Sequence, residues 1–364
     1  MANAAYNTPV DFSPKEQIEE AEARLYSLAE ADKYGQGFLT FEEFSAASFN
    51  TAANAHKRGG DLCGIATGLT DVDLKLGGLQ PSDLIVLAGR PSMGKTALAT
   101  NIAFNVAKAR RRSLIERKEL PANDRGHGGA VVGFFSLEMS GEQLTTRVLS
   151  EQAGISSEKI RRGGLTPDEF DRFAKTQREL ASIPLYIDQT GGLSIAQVAA
   201  RARKLKRQKG LGLLIVDYLQ LMTGAAKKGD NRVQEVTQIT TGLKALAKEL
   251  NIPVLALSQL NRDLEKREDK RPQLADLRES GSIEQDADVV VFVFRESYYL
   301  ERSKPAEENE RDYHEWLAKM QRASGRAELI IGKQRHGPIG IIQVQFDETR
   351  TRFSNYADQK RRSK

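Results

Sequence analysis

From about residue 64 onward, short apolar runs alternate with longer stretches whose apolar positions recur at helical spacing. Six runs read as strands: DLIVLAG (83–89), AVVGFFSLE (130–138), PLYID (184–188), LLIVDYL (213–219), PVLALSQ (253–259) and ADVVVFVF (287–294). Several are apolar at nearly every position, as a strand covered on both faces must be. Helical stretches at 194–209 and 233–250 lie between them. Strand alternating with helix predicts an α/β fold, a mostly parallel central sheet flanked by helices. AELIIGKQ (327–334) and GIIQVQF (340–346), separated by the turn signal RHGPI, predict an added hairpin.

Before residue 60 the pattern is helical. In SPKEQIEEAEARLYSLAEAD (13–32), Ser13 is a plausible N-cap, Pro14 suits the first helical position and Glu16 closes a capping box. A second helix starts at Thr40, with Glu43 at the same spacing, and ends before Gly59 and Gly60. Two helices this short bury little core by themselves and are expected to dock on their own large domain or on another copy of it. The expected division is 1–60, a helical linker segment; 61–357, one large α/β domain; and 358–364, a basic tail. Three segments read as exposed: 109–129, 224–232 and 301–316. Between the first two helices, Asp32, Gly37, Leu39 and Glu43 fall at calcium-loop positions, but Tyr34 and Gln36 stand where carboxylates are needed. A turn between helices is the better reading.

Composition narrows the class. Of the 364 residues, 40% are hydrophobic and 28% charged, an ordinary globular balance. The single cysteine, Cys63, allows no intrachain disulfide, and no Cys/His cluster has zinc spacing. The longest apolar run, VVVFVF, is far too short to span a bilayer, so a soluble, cytoplasmic protein is expected, with no membrane partner. The net charge of +5 is a weak sign of a polyanionic partner.

The chemistry is concentrated where charge emerges from apolar runs. GRPSMGKT (89–96) matches G-x-x-x-x-G-K-[ST] directly after a strand, the context this phosphate-binding loop requires. Arg90, Pro91, Ser92, Met93, Gly94, Lys95, Thr96 and Ala97 are the candidate nucleotide-binding residues, with ATP and Mg²⁺ as the implied ligands. Backbone amides and a helix N-terminus meet the phosphate; Lys95 reaches its β- and γ-oxygens and Thr96 offers a hydroxyl to Mg²⁺. Asp217 closes LLIVD, and a carboxylate there is costly to bury without a cation, so it reads as the second Mg²⁺ anchor. Glu138 ends FFSLE and suits a base that activates water, with a structural salt bridge as the alternative. Gln259, at the tip of ALSQ, suits a γ-phosphate sensor or a satisfied buried amide. Lys333 and Arg335 alternate onto one strand face. Judged from the residues alone, a solvated face explains this pair better. If they lie far from their own phosphate loop, they suit cations given across a subunit interface.

The series GRPSMGKT, FFSLEMS, LLIVDYLQL, LSQLNR, LRESGSIEQDAD and KQRHGP resembles the bacterial replicative DNA helicases of the DnaB family over roughly residues 60–357. The resemblance implies a RecA-like P-loop NTPase domain, a hexameric ring with ATP at subunit interfaces, and single-stranded DNA in its channel, travelled 5′ to 3′. By motif it assigns Lys95 and Thr96 to ATP–Mg²⁺, Asp217 to the metal and Glu138 to the catalytic base. It also makes Gln259 the phosphate sensor and Lys333 and Arg335 the cations given to a neighbour's ATP. Arg278, Glu279 and Gly281 of RESG would hold the DNA backbone; Arg278 can pair with phosphate, Gly281 permits close approach, and Glu279, repelled by phosphate, would orient neighbours or contact through its main chain, with a helix cap after QLADLRES as the alternative. GAAKKGDNR (224–232) is a second candidate DNA loop, or simply a solvated one. Family members carry an N-terminal helical domain that contacts primase, whereas this chain has only connecting helices. Contact with a helicase loader therefore remains among the expectations, and contact with primase does not. A recombination- or clock-type RecA-like ATPase, or a ring-forming nucleotide module that does not unwind, are the competing readings.

Overall fold

The computed structural model describes residues 40–42, 45, 48, 49, 53, 62–115, 128–223, 232–306 and 309–356, with the backbone alone at 232 and 278–282. The helix expected at 13–32 and its calcium-like turn lie outside the described residues. So do most of the second helix, the centre of the 109–129 segment, residues 224–231 and the basic tail.

Among the described residues, nine strands form one sheet in the order β3-β2-β4-β5-β1-β6-β7-β8-β9. The first six in that order are mutually parallel: β1 (Leu84–Gly89), β2 (Val131–Ser136), β3 (Leu185–Asp188), β4 (Leu211–Asp217), β5 (Val254–Gln259) and β6 (Val289–Phe294). These are the six apolar runs, five of them trimmed by one to three residues in all, while β4 is shifted two residues earlier than the 213–219 expected. β7 (Arg326–Gln334), β8 (Gly340–Asp347) and β9 (Arg352–Asn355) extend the sheet antiparallel beyond β6. The expected hairpin is therefore a three-stranded extension of the main sheet, and β9 was not anticipated.

Strand alternation divides the core into two layers. Ile85 and Leu87 of β1, with Leu213 and Ile215 of β4, face one side, against α1 (Thr70–Leu76), α2 (Lys95–Ile115) and Leu144 of α3 (Gly141–Ala153). Leu84, Val86, Ala88, Leu214 and Val216 face the other, against α6 (Ile195–Lys209), α7 (Arg232–Leu250) and α8 (Gly281–Asp286). Each fully buried Val, Leu or Ile contributes about 1.5–3 kcal/mol, so two such layers hold the central strands firmly. α2 buries a run of small residues, Ala97, Ala99, Ala103 and Ala107, which lets the helix following the phosphate loop lie close on β1.

Helix ends are set locally. Ser140, Thr166 and Ser194 each form a complete capping box before α3, α5 (Pro167–Leu180) and α6; α4 (Ser157–Arg162) lies between the first two. The 301–316 segment, read as exposed, spans the end of α9 (Glu296–Arg302) and the start of α10 (Glu310–Ala323), which meet through Trp316 Nε1–H donating to the Leu300 carbonyl at 2.7 Å.

Candidate functional site

Ligand sites in parallel sheets form beyond the carboxyl ends of the strands. Here four adjacent strands, taken across the sheet as β2, β4, β5 and β1, lead at that edge to Glu138, Asp217, Gln259 and the phosphate loop. Chain order brings these groups in as 95, 138, 217 and 259. The crossovers therefore set Asp217 between the general-base candidate and the loop. All four border one cavity of about 570 Å³.

The loop is built by its backbone. Ser92 and Gly94 take positive φ values of 66° and 97°, turning successive amides toward the cavity. Gly94 is required twice over. Its φ disfavours any side chain, and an added Cβ would lie 3.0 Å from both Cε2 and Cζ of Phe353. Phe353, on β9, is buried and packs on Phe346 with ring centroids 4.6 Å apart, so the sheet extension is the floor beneath the loop. Lys95 Nζ donates to the Gly89 carbonyl at 2.7 Å and to the Arg90 carbonyl at 3.1 Å. Burial lowers its pKa to about 8, with Asp217 and Glu138 pulling the other way.

Two of the expected loop residues turn their side chains elsewhere. Arg90 Nε donates to Glu265 at 2.8 Å and Nη1 to the Leu260 carbonyl at 3.0 Å. Met93 is in the core. Both can offer a ligand only backbone groups, whereas Pro91, Ser92, Gly94, Lys95, Thr96 and Ala97 line the cavity.

Asp217 is 1% exposed. Burial raises its carboxyl to about 6, and Glu138 pushes the same way; a hydrogen bond with Thr96 and the charges of Lys95 and Arg147 oppose it. Its buried Oδ2 has no hydrogen-bond partner among the described residues. A buried carboxylate beside a threonine hydroxyl, with one oxygen unsatisfied, is the hard-oxygen set that suits Mg²⁺. Leu137 N–H donates to the Asp217 carbonyl at 2.8 Å, and Ser136 Oγ donates to the Met139 carbonyl at 2.7 Å. These two bonds hold the turn carrying Glu138 beside Asp217. Gln220 braces the β5 tip, donating to Ser258 Oγ at 3.0 Å and accepting from Gln259 N–H at 3.3 Å.

Sequence reasoning missed two cations that border the cavity, Arg147 and Arg295. Arg295 follows VVVFVF directly, the same charge-after-apolar-strand signal that marked Asp217. Its guanidinium lies 4.2 Å from the Phe346 ring centroid, donates to the Ser92 carbonyl at 3.2 Å and pairs with Glu348, bracing the loop from below. Arg147 sits on α3 between the buried Leu144 and Val148, and interacts with Asp217 and Glu138. Its only sequence signal was the capping box that starts that helix.

Lys333 and Arg335 do not border this cavity. Val289, the first residue of β6, pairs with Gln334, so both lie at the amino-terminal edge of the parallel strands, across the sheet from the loop. Lys333 Nζ donates to the carbonyls of Glu284 at 2.6 Å and Ala287 at 2.7 Å. Arg335 Nη2 donates to the Gln285 carbonyl at 3.1 Å, and its Nε lies 3.4 Å from Asp288. The backbone of Arg278 and Glu279 is a 3₁₀ turn and Gly281 begins α8; their side-chain placement lies outside the described residues. Among the described residues there is no group of three or more His, Cys, Asp or Glu that could hold a metal ion, and no helix is long and apolar enough to cross a membrane.

Residues 64–355 match the family model described as the DnaB-like helicase C terminal domain. The chain is 48% identical over 358 residues to the replicative DNA helicase DnaB of Rickettsia bellii, covering 98% of itself and 70% of that protein. It is 38% identical over 338 residues to the replicative DNA helicase DnaB of Geobacillus stearothermophilus, covering 93% and 66%. Among solved structures it is similar to one of an ATPase domain, with a TM-score of 0.72 and 30% identity, over 88% of this chain and 100% of that one. It is also similar to a DnaB-like replicative helicase solved for its interactions with primase, with a TM-score of 0.69 and 29% identity, over 94% and 74%.

Proposed function

The chain belongs to the DnaB-like family of replicative helicases, and from that premise we propose how its residues divide the work. It is an ATP-dependent replicative helicase on the α/β RecA-like fold, acting on single-stranded DNA at the replication fork. In our reading residues 1–60 are the linker segment, 61–357 the motor and 358–364 a basic tail. The motor works in the cytoplasm as a hexameric ring that moves 5′ to 3′. A loader is a compatible partner; primase contact is not assigned to this segment.

ATP enters with its phosphates on the loop amides of residues 91–97. Lys95 exchanges its carbonyl bonds for phosphate oxygens, and the Thr96 hydroxyl and Asp217 would hold Mg²⁺. The ion would supply positive charge to offset that of the phosphate oxygens. Glu138 accepts the proton of the attacking water, which Gln259 helps to orient. Arg147, on the same wall, meets charge on the γ-phosphoryl group as the bond to the leaving oxygen breaks. Arg295 does not touch the nucleotide in this scheme; it keeps the loop in register. Lys333 and Arg335 complete the site of the adjacent subunit, and Arg278, Glu279 and Gly281 grip the strand.

The observation that carries the reading is the division of charges between the two edges of the sheet. The loop, Glu138, Asp217 and Gln259 share one cavity, while Lys333 and Arg335 lie across the sheet from it. In this reading a second copy completes the site. The test is ATP hydrolysis with and without single-stranded DNA, measured together with oligomer mass. DNA-stimulated turnover confined to the assembled form, and lost in Glu138→Gln, is expected. Turnover indifferent to DNA in an assembled ring would refute the motor assignment and favour a nucleotide-binding assembly module.

A further inference from the structure

Asn101 is a buried polar side chain with no part in the hydrolytic scheme above. It lies on α2, the helix that follows the phosphate loop, on the side facing α3 and β9. Its amide is engaged from two directions. Oδ1 accepts from the backbone N–H of Phe353 at 2.7 Å, and Nδ2 donates to Glu151 Oε2. A backbone N–H can only donate, so the amide oxygen must face Phe353 and the nitrogen must face the carboxylate. Glu151 is itself buried; its other carboxylate oxygen lies 3.3 Å from Arg352 Nε on β9 and accepts from Gln152 Nε2 at 3.1 Å. A buried carboxylate is costly unless it is paired and hydrogen-bonded, and here α2, α3 and β9 each supply a partner.

Both ends of this bridge lead to the nucleotide cavity. Phe353 is the floor beneath Gly94. Glu151 stands one turn beyond Arg147 on the same side of α3, and Arg147 borders the cavity. Leu144 and Val148 hold α3 in the core, but apolar contacts are non-directional and leave a helix free to slide or turn a little. Hydrogen bonds from two other elements to one carboxylate remove that freedom. One amide thus ties the helix after the loop to the floor under it and to the helix that carries Arg147.

We propose that Asn101 is a positioning residue for ATP hydrolysis: through Glu151 it sets how α3 stands against α2, and so where the Arg147 guanidinium lies relative to a nucleotide on the loop. This rests on the reading above, that Arg147 meets charge on the γ-phosphoryl group. Placement matters there, because a misplacement of about 1 Å at a reacting group can cost about 100-fold in rate. An amide suits the task because it presents an acceptor and a donor at once. An aspartate in its place keeps the acceptor for Phe353 and turns a second carboxylate on Glu151.

The test is steady-state ATP hydrolysis by the full, assembled chain with single-stranded DNA. The unaltered chain is compared with Asn101→Asp, Arg147→Ala, and the pairs Asn101→Asp with Glu151→Gln and Asn101→Asp with Arg147→Ala. In Asn101→Asp the floor of the loop keeps its bond, so KM for ATP should stay near the parental value, while kcat falls about tenfold as Arg147 is displaced. Adding Glu151→Gln restores the same bond with donor and acceptor exchanged, and most of kcat should return. In the Arg147→Ala background Asn101→Asp should lower kcat no further, whereas a general structural fault would lower it again. Unchanged kcat in Asn101→Asp, no recovery with Glu151→Gln, or an equal fall with and without Arg147 overturns the proposal. If Arg147→Ala turns over like the parent, the assignment of Arg147 itself fails, and the proposal with it. Should Asn101→Asp not fold or assemble, Glu151→Leu takes its place, removing the acceptor without adding charge. It should lower kcat only where Arg147 is present, and no fall, or a fall that ignores Arg147, overturns the proposal.

Discussion

Replacing Gly94 by alanine tests whether the sheet extension is what shapes the phosphate loop. At φ 97° a side chain is strained, a cost of about 1–3 kcal/mol for a disfavoured backbone conformation. The new Cβ would also sit 3.0 Å from two carbons of the Phe353 ring. That ring is 3% exposed and wedged against Phe346, so it cannot turn aside; overpacking of this kind adds about 1–3 kcal/mol. The loop borders an open cavity and is the part free to move, so we expect the cost to emerge as displaced amides. Binding of a fluorescent ATP analogue should then weaken by about 100-fold, corresponding to about 2.7 kcal/mol. Phe353→Leu removes the colliding edge of the ring but leaves φ as it was. In the double variant the steric part should be recovered, giving a coupling of about 1–3 kcal/mol between the two sites in titrations of all four proteins. Strict additivity, or an alanine variant that binds like the parent, would refute the role of β9 as the floor of the site.

Lys95→Ala should abolish ATP hydrolysis while leaving the circular dichroism spectrum and unfolding midpoint near those of the parent; persistent turnover would remove the phosphate-loop assignment. Arg335→Ala, inactive alone, should regain ATPase activity when mixed with Lys95→Ala, because mixed rings contain interfaces that pair an intact loop with an intact cation. Absence of any rescue would count against action in trans. Glu151 gives a pH test. Burial raises its carboxyl above the usual 4.5, outweighing Arg352 at 3.3 Å, so the folded chain holds the proton more tightly than the unfolded chain. The parent should therefore lose stability relative to Glu151→Gln as pH rises from 4.5 through the raised value, read as a growing gap in urea midpoints; a gap that stays constant would show that burial does not set this group.

The strands, their parallel alternation with helices, the phosphate loop, Asp217 and Gln259 were legible in the chain because each is a local pattern. A strand buried on both faces must be apolar throughout, and a charge at its end stands out against that background. Arg295 carried the same signal and was missed only because no motif surrounded it. What the chain could not disclose is adjacency. Whether β2, β4, β5 and β1 lie side by side depends on crossovers that carry no local mark, yet that order brings Glu138 and Asp217 together. Nothing in RFSN foretold that Phe353 would lie under Gly94, or in LTTRV that Arg147 would face Asp217, because both contacts join distant parts of the chain. Lys333 and Arg335 show the division most clearly. Strand alternation alone puts them on one face, but only the packed fold sets them across the sheet from their own loop and against the end of α8. Side-chain direction follows from the backbone repeat, whereas the partner a side chain meets is chosen by the packing of the whole domain.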